Sequence, residues 1–239
     1  MKRFRRRRAV ITRLVPPEVP YTGRIVIADN FRDGAPVWEA HPNYPDTEIW
    51  WQGIYVLSGW RSLCVKDGSA SPSAGTVAMA RRRAPAVVGG DVAVQLSFLF
   101  PSASATSYLY FAVLNIAHYE ERIVKQLALR YDVANSMWEY LDSSLSYQAL
   151  EGGDQQLDEG IWHKLILKLN FGPPQFRLPA YVELSCDGKE IDMSGLNGYA
   201  EVVASDVPRF EVQIGCQNAA DGSAASVYID DLIVVEGEL

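Results

Sequence analysis

The residues able to do chemistry are few: three histidines, three cysteines, and two clusters in which one residue type is unusually dense. His41 stands in a proline-rich stretch, His118 at the end of an apolar run, and His163 in the segment Trp162-His163-Lys164. Cys64, Cys186 and Cys216 are odd in number and show no C-x-x-C or Cys/His ligand spacing. Their strand-like apolar surroundings read as buried free thiols, which suits a reducing compartment. The first cluster is Lys2, Arg3, Arg5, Arg6, Arg7, Arg8 and Arg13, with no acid among them. Charge this dense cannot fold alone and calls for an anionic partner or solvent. The second cluster sets four of six tryptophans, Trp38, Trp50, Trp51 and Trp60, within 23 residues, with Tyr44 and Tyr55 alongside. Such rings can stack on sugar faces, anchor a protein interface, or simply fill a core. Adjacent residues of a strand point to opposite faces, so Trp50 and Trp51 cannot both enter one face, and one of them is expected near the surface.

These residues need a scaffold, and the 239-residue chain is 48% hydrophobic and 21% charged, enough to fill a sizeable core. No apolar run approaches the length of a membrane-spanning helix, so no membrane contact is expected. The net charge of −7 is unevenly spread. Seven of the 22 basic residues lie in residues 1–13, so the remainder sets 15 basic against 29 acidic groups. An acidic body with a basic arm is the result. The apolar stretch that would make this start a secretory signal is broken by Arg13 and Pro16-Pro17, so no secretion signal is recognised and a virion or cytoplasmic location is expected. The division is therefore an arm and Pro-rich spacer over residues 1–20 and a single domain over residues 21–239.

Within that domain short alternating runs succeed one another, each bounded by Gly, Pro, Asn or Asp. Arg24–Ala28, Ile54–Leu57, Ser62–Lys66, Thr76–Arg82 and Asp91–Phe100 read as strands, as do Tyr108–His118 and Ile123–Val133, an expected antiparallel pair. Ile161–Phe171 alternates strictly, Tyr181–Cys186 turns at Asp187-Gly188 into Glu190–Met193, and Phe210–Cys216 and Ser226–Val235 close the chain. A short helix or turn is expected near Gln148–Glu159. About a dozen strands without helices to cover them give an all-β fold, an antiparallel two-sheet β-sandwich of jelly-roll type, carrying an extended basic N-terminal arm.

Gly160-Ile-Trp-His-Lys-Leu-Ile-Leu-Lys-Leu-Asn170 resembles the G-x-W-H strand segment of concanavalin A-like and laminin G-like sandwiches. Tyr181–Lys189 is similar to the next strand and its turn, Val227–Val235 to the closing strand, and Asp29-Asn-Phe-Arg-Asp-Gly34 to the opening segment. Carbohydrate-binding jelly rolls share the opening and closing patterns. The resemblance implies the fold; lectins, laminin modules, hydrolases and lyases all use it.

A hydrolase of this architecture would carry E-x-D-x-E along one strand, because two carboxyls on one face serve as nucleophile and acid. Glu183, Ser185 and Asp187 supply one carboxylate and then a turn. A lyase would place Arg, His and Tyr on its strands; His118, Tyr110 and Arg130 could mimic that, without the local signatures of those enzymes. No catalytic residues are therefore assigned. Alternation with Val227, Ile229, Ile233 and Val235 puts Asp231 on the core face, where a carboxylate needs a partner. One answer is a structural calcium at the chain ends held by Asp29 with Asp230 or Asp231, as the resemblance allows. The other is a bulge at Asp230-Asp231, or capping of backbone N–H groups.

The expected function is a non-enzymatic assembly protein, such as a phage capsid, decoration or tail component of a virion. Arg3, Arg5, Arg6, Arg7, Arg8 and Arg13 would anchor it in a homo- or hetero-oligomeric protein assembly or on nucleic acid, with Arg81-Arg82-Arg83 joining the contact. The alternative is a carbohydrate-binding, lectin-like module using Trp38, Trp50, Trp51 and Trp60. A polysaccharide hydrolase or lyase stands third.

Overall fold

The computed structural model describes residues 23–29, 31, 38–57, 61–87, 90–118, 122–172, 178–203, 207–220 and 222–237. The basic arm, its six arginines and Trp60 lie outside these residues. Among the described residues there are strands and no helices: β1 Arg24–Asp29, β2 Trp38–Ala40, β3 Thr47–Gln52, β4 Ser62–Asp67, β5 Val77–Ala84, β6 Asp91–Leu99, β7 Thr106–His118 and β8 Arg122–Asp132. The chain continues with β9 Met137–Leu141, β10 Tyr147–Asp154, β11 His163–Asn170, β12 Ala180–Cys186, β13 Lys189–Asp192, β14 Tyr199–Val202, β15 Arg209–Asn218 and β16 Ser226–Glu236.

They form two antiparallel sheets of eight strands. The first runs β13-β12-β11-β6-β16-β4-β3 with β1 beside β16, and the second runs β10-β9-β8-β7-β15-β5-β2 with β14 beside β8. This is a concanavalin-like β-sandwich. Alternation decides the layers. On β11, His163, Leu165, Leu167 and Leu169 are buried while Lys164, Ile166, Lys168 and Asn170 are partly exposed. From the facing sheet Leu109, Phe111 and Val113 of β7 and Leu127, Leu129 and Tyr131 of β8 meet them in one core. At its centre the Phe98 ring lies edge-on to Phe111 at 5.0 Å and to the buried Trp138 at 6.4 Å. The hairpin turn expected at Asp187-Gly188 is present, with φ of 50° and 81°, both positive as a type I′ turn requires. Asp187 also accepts from the Lys164 N–H at 2.8 Å and contacts His163 Nδ1 at 2.6 Å, so this turn is pinned to β11.

Several expectations need correction. The segment 148–159 is strand β10 and a turn, not a helix. Ile54–Leu57 is not a strand; Thr47–Gln52 pairs with β4 instead. Trp162 precedes β11, whose place between β12 and β6 is nonetheless internal.

The largest correction is at Asp230-Asp231. The β16–β6 register shifts between Asp230, opposite Ser97, and Ile233, opposite Gln95, and Asp231 takes φ of 52°. The extra residue of this bulge reverses the alternation, so Leu232 and Val234 replace Asp231 as the inward residues after Ile229. Asp230 is the fully buried carboxylate, and it sits on the opposite face of the sheet from Asp29, whose β16 neighbour is inward Leu232. Its oxygens accept from the Leu57 N–H at 3.1 Å and the Asp231 N–H at 2.9 Å. Asp29 accepts from the Phe31 N–H and the Trp38 indole, both at 3.0 Å. Asp29 and Asp230 thus lie on opposite faces of one sheet, and no group of three metal-ligating side chains occurs among the described residues.

Candidate functional site

Among the described residues, Trp38, Trp50 and Trp51 do not share one face. Trp38 is 6% exposed on the inner side of β2, and Trp51 points inward from β3 onto Phe31 at 5.3 Å. Trp50, its sequence neighbour, lies on the other face with the Lys66 ammonium 5.8 Å from its ring centre. The arginine triplet is split the same way. Arg82 opposes Trp38 and lies 3.7 Å from Asp29, whereas Arg81 and Arg83 face outward to Glu39 at 3.0 and 3.3 Å. Alternation along β5 separates what the sequence sets side by side.

The chemistry-bearing surface is instead the outer face of the second sheet. Register aligns its residues in rows. Tyr110 of β7 lies between Gly215 of β15 and Arg130 of β8, which faces Glu139 of β9. In the next row Ala112 lies between Gln213 and Ala128, and in the next Leu114 lies between Glu211 and Gln126. Ala112 makes a low floor, and the fully buried Ala128 beside it packs with Leu141, Tyr147 and Leu114. Larger side chains on either side turn that floor into a hollow of about 410 Å3. His41, Asn43 and Tyr44 of the β2–β3 loop wall it on one side, with Tyr110, Tyr147, Gln126 and Gln213 on the sheet. The loop is held over the sheet by backbone bonds from His41 N–H to Met79 C=O at 2.8 Å and from Gly68 N–H to Asp46 C=O at 2.7 Å. Gly215 keeps the row beside Tyr110 open, because a Cβ there would stand 2.2 Å from the Ala78 carbonyl oxygen.

Arg130 organises one rim. Its guanidinium lies 4.1 Å from the Tyr108 ring centre and 4.2 Å from that of Tyr147, and it is hydrogen-bonded to Glu139. A cation between two rings fixes both of them in orientation. Tyr110 stands 6.2 Å from both Tyr108 and Tyr147, giving four aromatic or planar groups in one continuous band. Burial pushes the Tyr110 hydroxyl up to about 12 and that of Tyr147 higher still, so both keep their protons at neutral pH. Burial pulls His41 below its ordinary value; Glu211 opposes the shift and Arg81, Arg83 and Arg209 add to it, leaving a neutral imidazole.

Sequence reasoning touched Tyr110 and Arg130 but missed Tyr147, Gln126, Gln213 and the role of the His41 loop. The period-two signal was available for β7 and β8. The pairing across β15, which brings Gln213 beside Ala112, was not, since register between distant strands is invisible in one sequence.

Neither a protein-family model nor a curated protein matches the sequence. Solved structures do match its fold. A cellulose-induced protein, Cip1, superposes with a TM-score of 0.56 at 17% identity over 87% of this chain and 96% of that one. An endo-β-1,4-glucuronan lyase from the fungus Trichoderma reesei gives 0.48 at 11% identity, over 89% and 95%. The potassium-bound carbohydrate recognition domain of Emp46p gives 0.44 at 12% identity, over 85% and 90%. At such identity the likeness to Cip1 concerns the fold alone.

Proposed function

We propose that this protein is a carbohydrate-binding module whose site is the hollow on the outer face of the second sheet. One observation carries the reading: a floor of small apolar residues is bordered by an aligned band of Tyr108, Arg130, Tyr147 and Tyr110 and faced by the amides of Gln126 and Gln213. Pyranose rings present C–H faces that stack on aromatic rings, and a belt of hydroxyls that suits amides and phenols. Binding rather than glycosidic hydrolysis is supported by the state of the nearby carboxylates. Glu139 is bonded to Arg130, and Glu211 to Arg83, Arg209 and Gln213, so neither is free to act as nucleophile or acid. The arm-anchored assembly reading rests on residues 1–13, outside those described, so the described geometry favours the alternative. A glycan array probed with the full chain tests the proposal. Hits weakened about tenfold or more by Tyr110→Ala support it, that being the scale of a central aromatic contact; an array without hits overturns it.

A further inference from the structure

Two glutamine amides on this face have no freedom to turn. Glu211 is 1% exposed, and its Oε2 accepts from Arg83 Nε and Arg209 Nε, each at 3.2 Å. Its Oε1 accepts from Gln213 Nε2 at 2.6 Å. Burial acts to raise its pKa, but bonds from Gln213, Arg83 and Arg209 outweigh burial and hold the carboxyl below its usual range. Glu211 is therefore ionised at neutral pH and accepts only. An amide beside it must turn its NH2 inward, because the reverse sets oxygen against oxygen. Gln213 is 7% exposed and lines the hollow, and among the described residues its Oε1 has no hydrogen-bond partner. What Gln213 offers a ligand is an acceptor.

Tyr110 is fixed by the same logic one strand away. Gln217 Nε2 donates to the Gly75 carbonyl at 2.8 Å, which turns its Oε1 towards Tyr110. The Tyr110 hydroxyl donates to that Oε1 at 2.7 Å and so spends its only proton. On the third wall, His41 Nδ1 accepts from the Asn43 N–H at 3.3 Å, so the neutral ring carries its proton on Nε2. The cations around the hollow are already matched: Arg130 by Glu139, Arg81 by Glu39, and Arg83 by Glu39 and Glu211.

We propose that Gln213, set by Glu211, and Tyr110, set by Gln217, make one wall of this hollow acceptor-only, so that it selects neutral, hydroxyl-donating sugars over sugars bearing a carboxylate. The inference rests on the carbohydrate reading and adds the class of sugar. A hydroxymethyl group can donate to Gln213 Oε1. A carboxylate in its place would set oxygen against oxygen where no unpaired guanidinium repays the loss of water.

Matched hexasaccharides that differ only in oxidation at C6 test it: glucan against glucuronan, mannan against mannuronan, galactan against galacturonan. Calorimetry on the full-length chain should show a neutral member binding about tenfold or more tighter than its uronate twin, the scale of one buried acceptor left facing another. Glu211→Gln lets the amide of Gln213 turn and should narrow that ratio. Gln213→Met keeps bulk without the acceptor and should weaken the neutral sugar about two- to tenfold, the range of one hydrogen bond; it carries the test should Glu211→Gln fail to fold. Equal affinities or a uronate preference overturn the inference and leave the carbohydrate reading intact. A neutral preference unchanged in both variants overturns the role of Gln213. No binding by any sugar overturns the reading and the inference together.

Discussion

The Tyr181 hydroxyl of one sheet bonds the backbone of Ala128 in the other. It accepts from the Ala128 N–H at 2.9 Å and stands 2.9 Å from both the Ala128 and Leu141 carbonyl oxygens. The reason lies in the second sheet. Strand β8 pairs with β9 over Leu129–Asp132 and with β14 over Ile123–Gln126, so its edge at Ala128 has no strand beside it. Unpaired backbone groups in a core are costly, and a phenol from the opposite layer completes them. Ala128 pairs with Ala112 of the hollow's lining, so this core tyrosine braces the strand beside the site.

Tyr181→Phe should therefore destabilise the fold by about 1–3 kcal/mol, the cost of leaving buried polar groups unmatched. Urea denaturation measures it. Burial pushes the Tyr181 hydroxyl well above its ordinary pKa, so this contribution should not change through the neutral range. A variant as stable as the parent would show that water completes the Ala128 backbone equally well.

The bulge in β16 gives a second stability prediction. Asp230 holds the Leu57 N–H, tying the 53–57 loop to the sheet, and the Tyr55 ring packs at a tilt against Tyr228, 4.8 Å away. Asp230→Ala should cost about 1–3 kcal/mol by orphaning those donors. Asp231→Val should cost about 1–3 kcal/mol for a different reason, because a β-branched residue is strained at positive φ. Asp231→Gly should be tolerated. If the sensitivity of Asp230→Ala disappeared on removing calcium from the buffer, the carboxylate would be a ligand rather than a cap.

Much of the fold was legible because alternation is local. Leu165, Leu167 and Leu169 declare β11, and Asp187-Gly188 declares its turn, from a few residues each. The Asp230-Asp231 bulge was legible only as an anomaly, since alternation alone puts the wrong carboxylate inside. The site was less legible still. Tryptophans advertise aromatic surface, but Trp38 and Trp51 fill the core while Tyr108, Tyr110 and Tyr147 line the face. Those tyrosines come from β7 and β10, joined through β8 and β9, and their meeting point depends on pairings that no single stretch encodes. The arm was the densest charge signal in the sequence, and it lies outside the described residues.

The His41 loop makes the site sensitive to acid. Burial lowers the His41 pKa from its ordinary 6.5; Glu211 partly offsets this and the guanidinium groups of Arg81, Arg83 and Arg209 reinforce it. A lowered folded-state pKa means that the unfolded chain, or a loop lifted off the sheet, binds the proton more readily. The seated loop is thus favoured above 6.5 and loses that advantage as pH falls below it towards the lowered value. Sugar affinity should fall several-fold between about pH 7.5 and about pH 5 in the parent, and stay nearly flat in His41→Gln. Parallel profiles for the two proteins would show that the loop does not report this proton.

The last prediction separates the aromatic band from the tryptophans. Arg130 is held between Tyr108 and Tyr147 as a flat cation and tied to Glu139. A lysine keeps the charge but not the plane, and it cannot stack on two rings while forking to a carboxylate. Arg130→Lys should therefore loosen both rings and weaken sugar binding about fivefold or more, from the loss of two cation–π contacts of roughly 0.5–1 kcal/mol each. Trp50→Ala, on the opposite sheet, should leave binding unchanged. Titrations of the two variants against one array hit decide the matter. Weak binding by Trp50→Ala together with full binding by Arg130→Lys would move the site to the first sheet and restore the tryptophan platform.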